Sequence, residues 1–308
     1  MPMDGVPKLS HEDILSYEEM LRLATVGASL GLKKLRLTGG EPLVRKGLLY
    51  FVQVLGRAGL FETLRMTTNA VLLADQARDL KAAGLSGLNI SLDALEPAVY
   101  ARMAGLPGPV GEKLAARAWA GFLAAVENGF DTKINCVPIR GVNDDQLADL
   151  ARLVYKYPVD VRFIEHMPIG SKGLWREDRF ISSAELLTLL ERELGAMELI
   201  PDQDLSAPAR RYALKGALGA IGFISPVSGH FCRACNRIRL TADGKLKPCL
   251  LTAREVDIKG PLRSGASDDE LRNIFIAAAG LKPSDYGVAV SEGLAGESAG
   301  REMVGIGG

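Results

Sequence analysis

The feature that most constrains the fold of this chain is a regular alternation of short β-like and longer helix-like segments, up to about residue 200. Each β-like segment is rich in apolar residues, and the stretch after it carries apolar residues at helical spacing. Such alternation predicts parallel strands joined by crossover helices, in a sheet or a barrel. The predicted strands span residues 34–37, 63–66, 88–91, 133–137 and 161–164, and the predicted helices lie near 17–30, 48–57, 75–83, 111–128, 144–157 and after a cap at Ser182. The first helix is predicted to begin with a capping box from Ser16 to Glu19.

Polar residues directly follow four of the predicted strands. After the predicted strand that ends at residue 37, Glu41 ends a Thr-Gly-Gly-Glu sequence. Asn69, Asp93 and His166 follow the predicted strands that end at residues 66, 91 and 164. Because the carboxyl ends of parallel strands meet on one face of a barrel, we expect these groups to converge on one ligand. Polar residues also cap the helices that follow strands, and that interpretation stays open for each group taken alone.

Three of the four cysteines lie close together near the carboxyl end, at Cys232, Cys235 and Cys249. A Cys-x2-Cys pair followed by a third cysteine is typical of a metal or iron-sulfur site. Three thiolates leave one coordination position open, which suits an iron-sulfur cluster that binds a ligand better than a closed structural zinc site. The spacing does not identify the metal, so zinc remains an alternative. Cys136 lies in an apolar strand and is interpreted as a buried thiol.

The charge balance excludes several classes of partner. Basic and acidic side chains are equal in number, with 37 of each. Zero net charge argues against general nucleic-acid or anionic-membrane binding, and any phosphate site must be local. The first residues lack the pattern of a secretory signal, and four cysteines do not make a disulfide framework. We therefore expect a cytoplasmic protein with no nucleic-acid or membrane partner.

Seven segments of the sequence resemble those of the radical S-adenosylmethionine enzymes and follow one another in the same order as in that family. They resemble most closely the GTP 3',8-cyclase family of molybdenum cofactor biosynthesis. The resemblance implies an incomplete (βα)6 barrel over residues 1–205 and a C-terminal domain with a [4Fe-4S] cluster over 206–308. The segments are KLRLTGGEPLVRKGL, RMTTNAVLL, LNISLDAL, TKINCVPIRGVNDD, VRFIEHMPIG, SPVSGHFCRACNRIRLTADGKLKPCLL and the terminal Gly307-Gly308.

The resemblance also implies roles for single residues. Cys232, Cys235 and Cys249 would hold the cluster that engages the purine, and the tail residues Gly307 and Gly308 would reach into the active site. The implied S-adenosylmethionine contacts are Gly40, Ser91 and Met167, and the implied GTP contacts are Arg36, Thr67, Lys133, Arg237, Ile238 and Arg239.

The family carries a Cys-x3-Cys-x2-Cys loop for a second [4Fe-4S] cluster, which this sequence lacks. A Met-Pro pair normally follows that loop, and the sequence starts at Met1-Pro2. We therefore expect a barrel shortened just after the loop.

The implied reaction converts GTP to 3',8-cyclo-7,8-dihydro-GTP. Its implied partners are an electron donor and the downstream cyclic pyranopterin monophosphate synthase, and a homodimer is compatible with the sequence. Three alternatives stay open: a non-catalytic protein that binds GTP and one cluster, a zinc-binding regulatory protein, and a peptide-modifying relative with auxiliary clusters.

Overall fold

The computed structural model describes residues 10, 12–168, 175–201, 204, 206–285 and 287. The helices are α1 Tyr17–Ser29, α2 Leu48–Ala58, α3 Ala77–Ala82, α4 Pro97–Met103, α5 Pro109–Glu127, α6 Leu147–Lys156, α7 Ser183–Leu194, α8 Lys259–Arg263 and α9 Asp268–Gly280. The strands are β1 Lys34–Leu37, β2 Thr63–Thr68, β3 Gly87–Ser91, β4 Asp131–Cys136, β5 Asp160–Ile164, β6 Met197–Ile200, β7 Ala209–Leu214, β8 Ala220–Ile224, β9 Arg239–Leu240, β10 Lys245–Lys247 and β11 Val256–Asp257.

Eight of these strands form one sheet in the order β1-β2-β3-β4-β5-β8-β7-β6. The first six in this order run parallel, and β7 and β6 complete the sheet antiparallel. The predicted parallel α/β architecture is therefore confirmed, and each predicted strand overlaps an observed one. The Lys34 ammonium of β1 lies 2.5 Å from a carboxylate oxygen of Asp204, between β6 and β7. This contact joins the two edges of the sheet, so the sheet curves into an incomplete barrel.

The strands alternate between a helix-packed face and an inner face. On β2, Leu64 and Met66 are buried in the main core, whereas Arg65 and Thr67 point to the other side. Helix α5 covers the sheet with small and aromatic residues, and its Phe122 packs edge-on against Tyr157 at 5.2 Å. Burying a large apolar side chain of this kind stabilises a fold by about 1.5–3 kcal/mol. The polar residues of the barrel strands are consequently left to the interior.

A second, smaller core joins the two ends of the chain. Leu23 and Val26 of α1 pack with Leu246 of β10 and with Phe275 of α9. The capping box predicted for α1 is present, since the Ser16 hydroxyl accepts a hydrogen bond from the Glu19 N–H and the Glu19 carboxylate accepts one from the Ser16 N–H. Strands β9, β10 and β11 form a separate antiparallel sheet over this core. The division of the chain after residue 205 stays a prediction.

Among the residues that the structure describes, no helix has both the length and the apolar character that crossing a bilayer requires.

Candidate active site

Positively charged side chains gather on the inner face of the barrel. We call Arg36, Arg65, Lys133, Arg162 and Arg239 the cationic cluster. Arg36 keeps an exposed surface, but the protein atoms around it and the charges of Arg65, Arg237 and Arg239 lower its pKa to about 10. Burial and the nearby Arg36 lower the pKa of Arg162 to about 10 as well. Strands β1, β2 and β5 and the start of β9 therefore place their guanidinium groups in one region.

Two glycines make room for these arginines. A Cβ atom at Gly87, beside Arg65 on the neighbouring strand, would lie 2.5 Å from the Arg65 guanidinium carbon. A Cβ atom at Gly222 would lie 3.0 Å from Arg162 Cγ. Real Cβ contacts are not as close as the first of these distances, so alanine at residue 87 would displace the arginine.

Neighbouring polar groups hold the arginines in place but neutralise only part of their charge. Arg65 donates to the carboxylate of Asp131 and, at 2.9 Å, to the Asp131 carbonyl oxygen. Arg162 donates through Nε and Nη2 to the neutral amide oxygen of Asn135, at 3.0 and 2.7 Å. Burial lowers the pKa of Lys133, against the opposing effect of Asp131. Positive charge therefore exceeds negative charge within the cationic cluster, an arrangement that suits a multiply charged anion.

The resemblance did not assign Arg65 and Arg162 to the site, but the sequence carried a signal for both. On a strand, residues two apart point to the same face. Arg65 shares its face of β2 with Thr67, and Lys133 shares its face of β4 with Asn135, the partner of Arg162. The inward faces could thus have been identified from Thr67 and Lys133.

The loop at the carboxyl end of β1 shows the helix-capping interpretation of its polar residue, Glu41. Glu41 caps the short helix Pro42–Val44 by accepting from the Leu43 N–H at 3.0 Å. The same carboxylate accepts from the Thr68 hydroxyl at 2.8 Å and from the Asn69 N–H at 2.7 Å. Glu41 therefore fixes the loop after β1 to the end of β2.

The three residues implied as S-adenosylmethionine contacts lie at the carboxyl ends of β1, β3 and β5. Gly40 is exposed, with open space where a side chain would begin. Ser91 and Met167 are both partly buried. Next to Ser91, burial raises the pKa of Asp93 to about 6 even though one carboxylate oxygen accepts from the Val137 N–H at 2.8 Å.

The cysteines lie beside the cationic cluster. The Cys235 N–H donates to the Cys232 carbonyl at 3.1 Å within a short helical turn. Arg239 pairs with Lys247 between β9 and β10, and the chain reaches Cys249 two residues later. Burial lowers the pKa of Arg239, and the thiolates of Cys235 and Cys249 oppose this shift. Two cysteines from separate segments therefore lie near one guanidinium group.

The environment of Cys235 suits a thiolate ligand. Burial acts to raise the pKa of this thiol, but the Arg237 N–H and the charges of Arg237 and Lys282 act more strongly, so its pKa is lowered. Thiolates are the form in which cysteine ligates metals. In the described part of the chain, no three His, Cys, Asp or Glu side chains are grouped closely enough to hold a single metal ion.

Arg237 and Arg239 flank Ile238, which packs against the second core. Strand β9 begins at Arg239, so Arg237 lies in the segment just before it. The Arg237 guanidinium lies 5.0 Å from the centre of the Phe231 ring. Its Nε and Nη2 atoms are buried and have no hydrogen-bond partner among the described residues. Such donors are available to a bound ligand.

Cys136 is fully buried, as predicted. Its thiol lies 3.7 Å from the Asp93 carbonyl oxygen, and burial raises its pKa well above the ordinary value. The sequence contains four cysteines in all, so the ligands of a second, S-adenosylmethionine-cleaving cluster are not among its residues. The donor set does not fit that group. The predicted tail residues Gly307 and Gly308 lie outside the described residues.

Two family models match this chain. The model of the radical SAM superfamily matches residues 4–154, and the model described as Molybdenum Cofactor Synthesis C matches residues 159–288. The barrel and its strand-end loops accordingly place the chain in the radical SAM class.

Individual relatives narrow this class. A GTP 3',8-cyclase from Syntrophomonas wolfei is 41% identical over 100% of this chain and 92% of the relative. A GTP 3',8-cyclase from Moorella thermoacetica is 44% identical over 93% of this chain and 86% of the relative. The chain belongs to the GTP 3',8-cyclase family, as the sequence resemblance indicated. Membership implies S-adenosylmethionine and [4Fe-4S] chemistry for the family.

Proposed function

We propose that this protein acts as a GTP 3',8-cyclase of molybdenum cofactor biosynthesis, with GTP bound between the cationic cluster and the cysteine segment. The observation that carries the proposal is that Arg237 and Arg239, beside the cysteines, lie close enough to Arg36, on the first barrel strand, for their charges to act on its pKa. One ligand can therefore contact both regions. The chemistry of the two regions differs, and GTP has two matching ends.

The triphosphate matches the cationic cluster. Arg36, Arg65, Lys133 and Arg162 supply N–H donors and positive charge from four strands, while Asp131 is the acidic group bonded to Arg65. Guanidinium groups form paired hydrogen bonds to phosphate oxygens, which gives both affinity and orientation. Thr67 lies on the same face of β2 as Arg65 and completes the implied GTP contacts.

The purine matches the cysteine segment. Cys232, Cys235 and Cys249 would hold a [4Fe-4S] cluster, and three protein thiolates leave one coordination position open for a ligand atom. When bound, that cluster would supply an iron site for the base. Arg237 can donate from Nε and Nη2 to the same ligand, and Phe231 stabilises its guanidinium group from one side.

The reaction joins C3' of the ribose to C8 of guanine, so the two carbons must be held close together. Anchors at the phosphate end and at the base end fix the ribose between them, which lowers the entropic part of the barrier. Gly40, Ser91 and Met167, at the carboxyl ends of the strands, would hold S-adenosylmethionine, the source of the radical chemistry. The residues of this chain bind and orient GTP and S-adenosylmethionine. The downstream synthase, the electron donor, the homodimer and the cytoplasmic location stay predictions.

The proposal can be tested with protein purified and reconstituted without oxygen. The protein is first extended at its amino terminus by the family's Cys-x3-Cys-x2-Cys segment, because the four cysteines of this sequence do not supply the cluster that cleaves S-adenosylmethionine. Incubation of the extended protein with GTP, S-adenosylmethionine and dithionite should consume GTP and give 3',8-cyclo-7,8-dihydro-GTP and 5'-deoxyadenosine, detected by mass spectrometry. GTP binding without either product would instead support the non-catalytic protein that binds GTP and one cluster. Stoichiometric zinc without iron or acid-labile sulfide would support the zinc-binding alternative. Absence of GTP binding by iron-loaded protein would contradict the proposal.

A further inference from the structure

Lys282 makes contacts that the assignments above do not use. It lies two residues after the end of α9 and is partly buried. Its ammonium donates to the carbonyl oxygen of Arg237 at 2.6 Å and to the carbonyl oxygen of Pro248 at 3.3 Å. Arg237 begins the implied GTP segment, and Pro248 directly precedes Cys249. One side chain therefore bonds to the backbone of both segments.

The Arg237 segment and the Cys249 segment extend from a very short pair of strands. Strands β9 and β10 share two residue pairs, which end at Arg239 and Lys247 on the site side. Beyond that pair the chains run to Arg237 in one direction and to Cys249 in the other. Strands this short fix their flanks weakly, since only two residue pairs join β9 to β10. Lys282 bridges the two flanks where the strand pairing has ended.

The position of Lys282 is itself fixed by its surroundings. Helix α9 packs through Leu271 and Phe275 against the core that contains β10. The Lys282 N–H donates to the Ala279 carbonyl at 3.1 Å, and Arg254 donates to the neighbouring Leu281 carbonyl at 3.1 Å. The backbone that carries the ammonium is therefore held on both sides, and the side chain spans from a rigid helix end.

We propose that Lys282 is a positioning residue of the site, which holds the Arg237 segment and the Cys249 loop in a fixed relation so that cluster and purine contacts coincide. The inference rests on the proposed function, because it assumes that both segments contact GTP or its cluster. It assigns Lys282 no contact with GTP. The opposing interpretation is that Lys282 only closes the end of α9 and stabilises the small domain.

Three variants separate these interpretations. Lys282→Met keeps the aliphatic stem and removes the charge and the donors, and Lys282→Arg keeps both. Lys245→Met is the matched control, because this lysine lies in the same small sheet but its ammonium pairs with Asp257 at 2.9 Å. Each protein is reconstituted without oxygen. The readouts are iron and sulfide content after gel filtration, the shift of the reduced-cluster EPR spectrum on adding GTP, and the GTP dissociation constant.

For Lys282→Met we expect a GTP dissociation constant about tenfold higher, the loss expected when one charged hydrogen-bond donor is removed. We also expect a loss of the GTP-induced EPR shift and faster release of iron to a chelator, with an unchanged circular dichroism spectrum. Lys282→Arg should restore most of the affinity and of the EPR shift. Lys245→Met should behave like the unsubstituted protein.

Three results would overturn the proposal. The first is a Lys282→Met protein that retains iron, binds GTP and shows the EPR shift like the unsubstituted protein. The second is a Lys282→Met protein that loses its helical circular dichroism signal, and the third is a Lys282→Arg protein that restores none of the readouts. Failure of the proposed function is a separate observation, since the unsubstituted iron-loaded protein would then not bind GTP, whereas iron release would still distinguish the Lys282 variants.

Discussion

The barrel interior and the cysteine segment position their functional side chains in different ways. In the barrel, Arg65 and Arg162 lie on strands of five or six residues, and glycines on neighbouring strands leave room for them. In the cysteine segment, β9 has two residues and β10 has three, and the cysteines lie in the turns that flank these strands. The barrel site is therefore built by the sheet, whereas the cysteine site depends on side chains that bond to the backbone.

This contrast indicates where each region is vulnerable. A regular sheet holds its inward residues even when one ligand contact is lost, so substitutions there should change binding and leave the fold intact. In the cysteine segment, Lys247 donates to the Thr252 carbonyl and Lys282 donates to the Pro248 carbonyl, on either side of Cys249. Metal binding by itself contributes folding free energy to small sites of this kind.

The largest expected effect is the loss of a thiolate ligand. Cys232→Ser should abolish stable iron binding by the cysteine segment, since two thiolates do not hold the cluster, while the barrel keeps its circular dichroism signal. Cys136→Ala is the control, because Cys136 is buried in strand β4 and its substitution should leave the iron content unchanged. Full iron and sulfide content in Cys232→Ser protein would refute the assignment of the ligands.

The second effect concerns the cationic cluster. Arg162→Met should weaken GTP binding by about 30- to 1000-fold, because truncating one partner of a buried charged pair costs about 2–4 kcal/mol. Iron content should not change. Arg152→Met serves as a control, since Arg152 is partly exposed and pairs with Asp149 and Glu193 at the surface. Calorimetric titration measures both affinities, and an unchanged GTP affinity in Arg162→Met would remove Arg162 from the site.

The third effect tests the space that glycine provides. Gly87→Ala should displace the Arg65 guanidinium group, because a Cβ atom at this position collides with it. The colliding atoms are the end of a flexible side chain, so the cost should be about 1 kcal/mol, from weaker hydrogen bonds between Arg65 and Asp131. Gly280→Ala is the matched control, since nothing lies within 4 Å of a Cβ atom at that position. Urea denaturation measures the free energy of unfolding. Equal values for Gly87→Ala and the control would show that Arg65 adjusts without cost.

The smallest effect concerns the pH dependence of stability. Burial raises the pKa of Asp93 from 3.8 to about 6 in the folded protein. A raised folded-state pKa contributes stability below pH 3.8, and this stability is lost as the pH rises through about 6. Above that pH the buried, ionised carboxylate therefore lowers the free energy of unfolding. Asp93→Asn keeps an oxygen to accept from the Val137 N–H and removes the buried charge.

Thermal unfolding of the metal-free protein measures this effect. We expect Asp93→Asn to raise the melting temperature more at about pH 8 than at about pH 5. The gain in the free energy of unfolding should be larger at the higher pH by an amount on the order of 1 kcal/mol. The exposed Asp149→Asn should show no such difference between the two pH values. An equal change in melting temperature at both pH values for Asp93→Asn would contradict the raised pKa.

The sequence was sufficient to predict the parallel strands and their crossover helices, because strand and helix periodicities alternate regularly and each predicted strand overlaps an observed one. The choice of a barrel over an open sheet came from the family resemblance. The capping box at Ser16 was also read correctly. The packing of α1 against β10 and α9 was not predicted, because Leu23 and Val26 have a general apolar face that does not specify its partner.

The site was predicted only in part, for a similar reason. Motifs led to Cys232 and Lys133, but Arg65 and Arg162 are single charges in strands, and their common direction depends on strand register. The role of Lys282 depends on a contact across 45 residues of chain, and no local pattern encodes such a contact. The strand-end residue Glu41 turned out to bond within the protein, to Thr68 and Asn69.

The most direct test of the two-ended site is a comparison of GTP with GMP on the same iron-loaded protein, before and after removal of the iron. If the cationic cluster binds the triphosphate and the cysteine segment binds the purine, GTP should bind at least about tenfold more tightly than GMP, and iron removal should weaken both. Equal affinities for the two nucleotides, together with no effect of iron, would contradict the account.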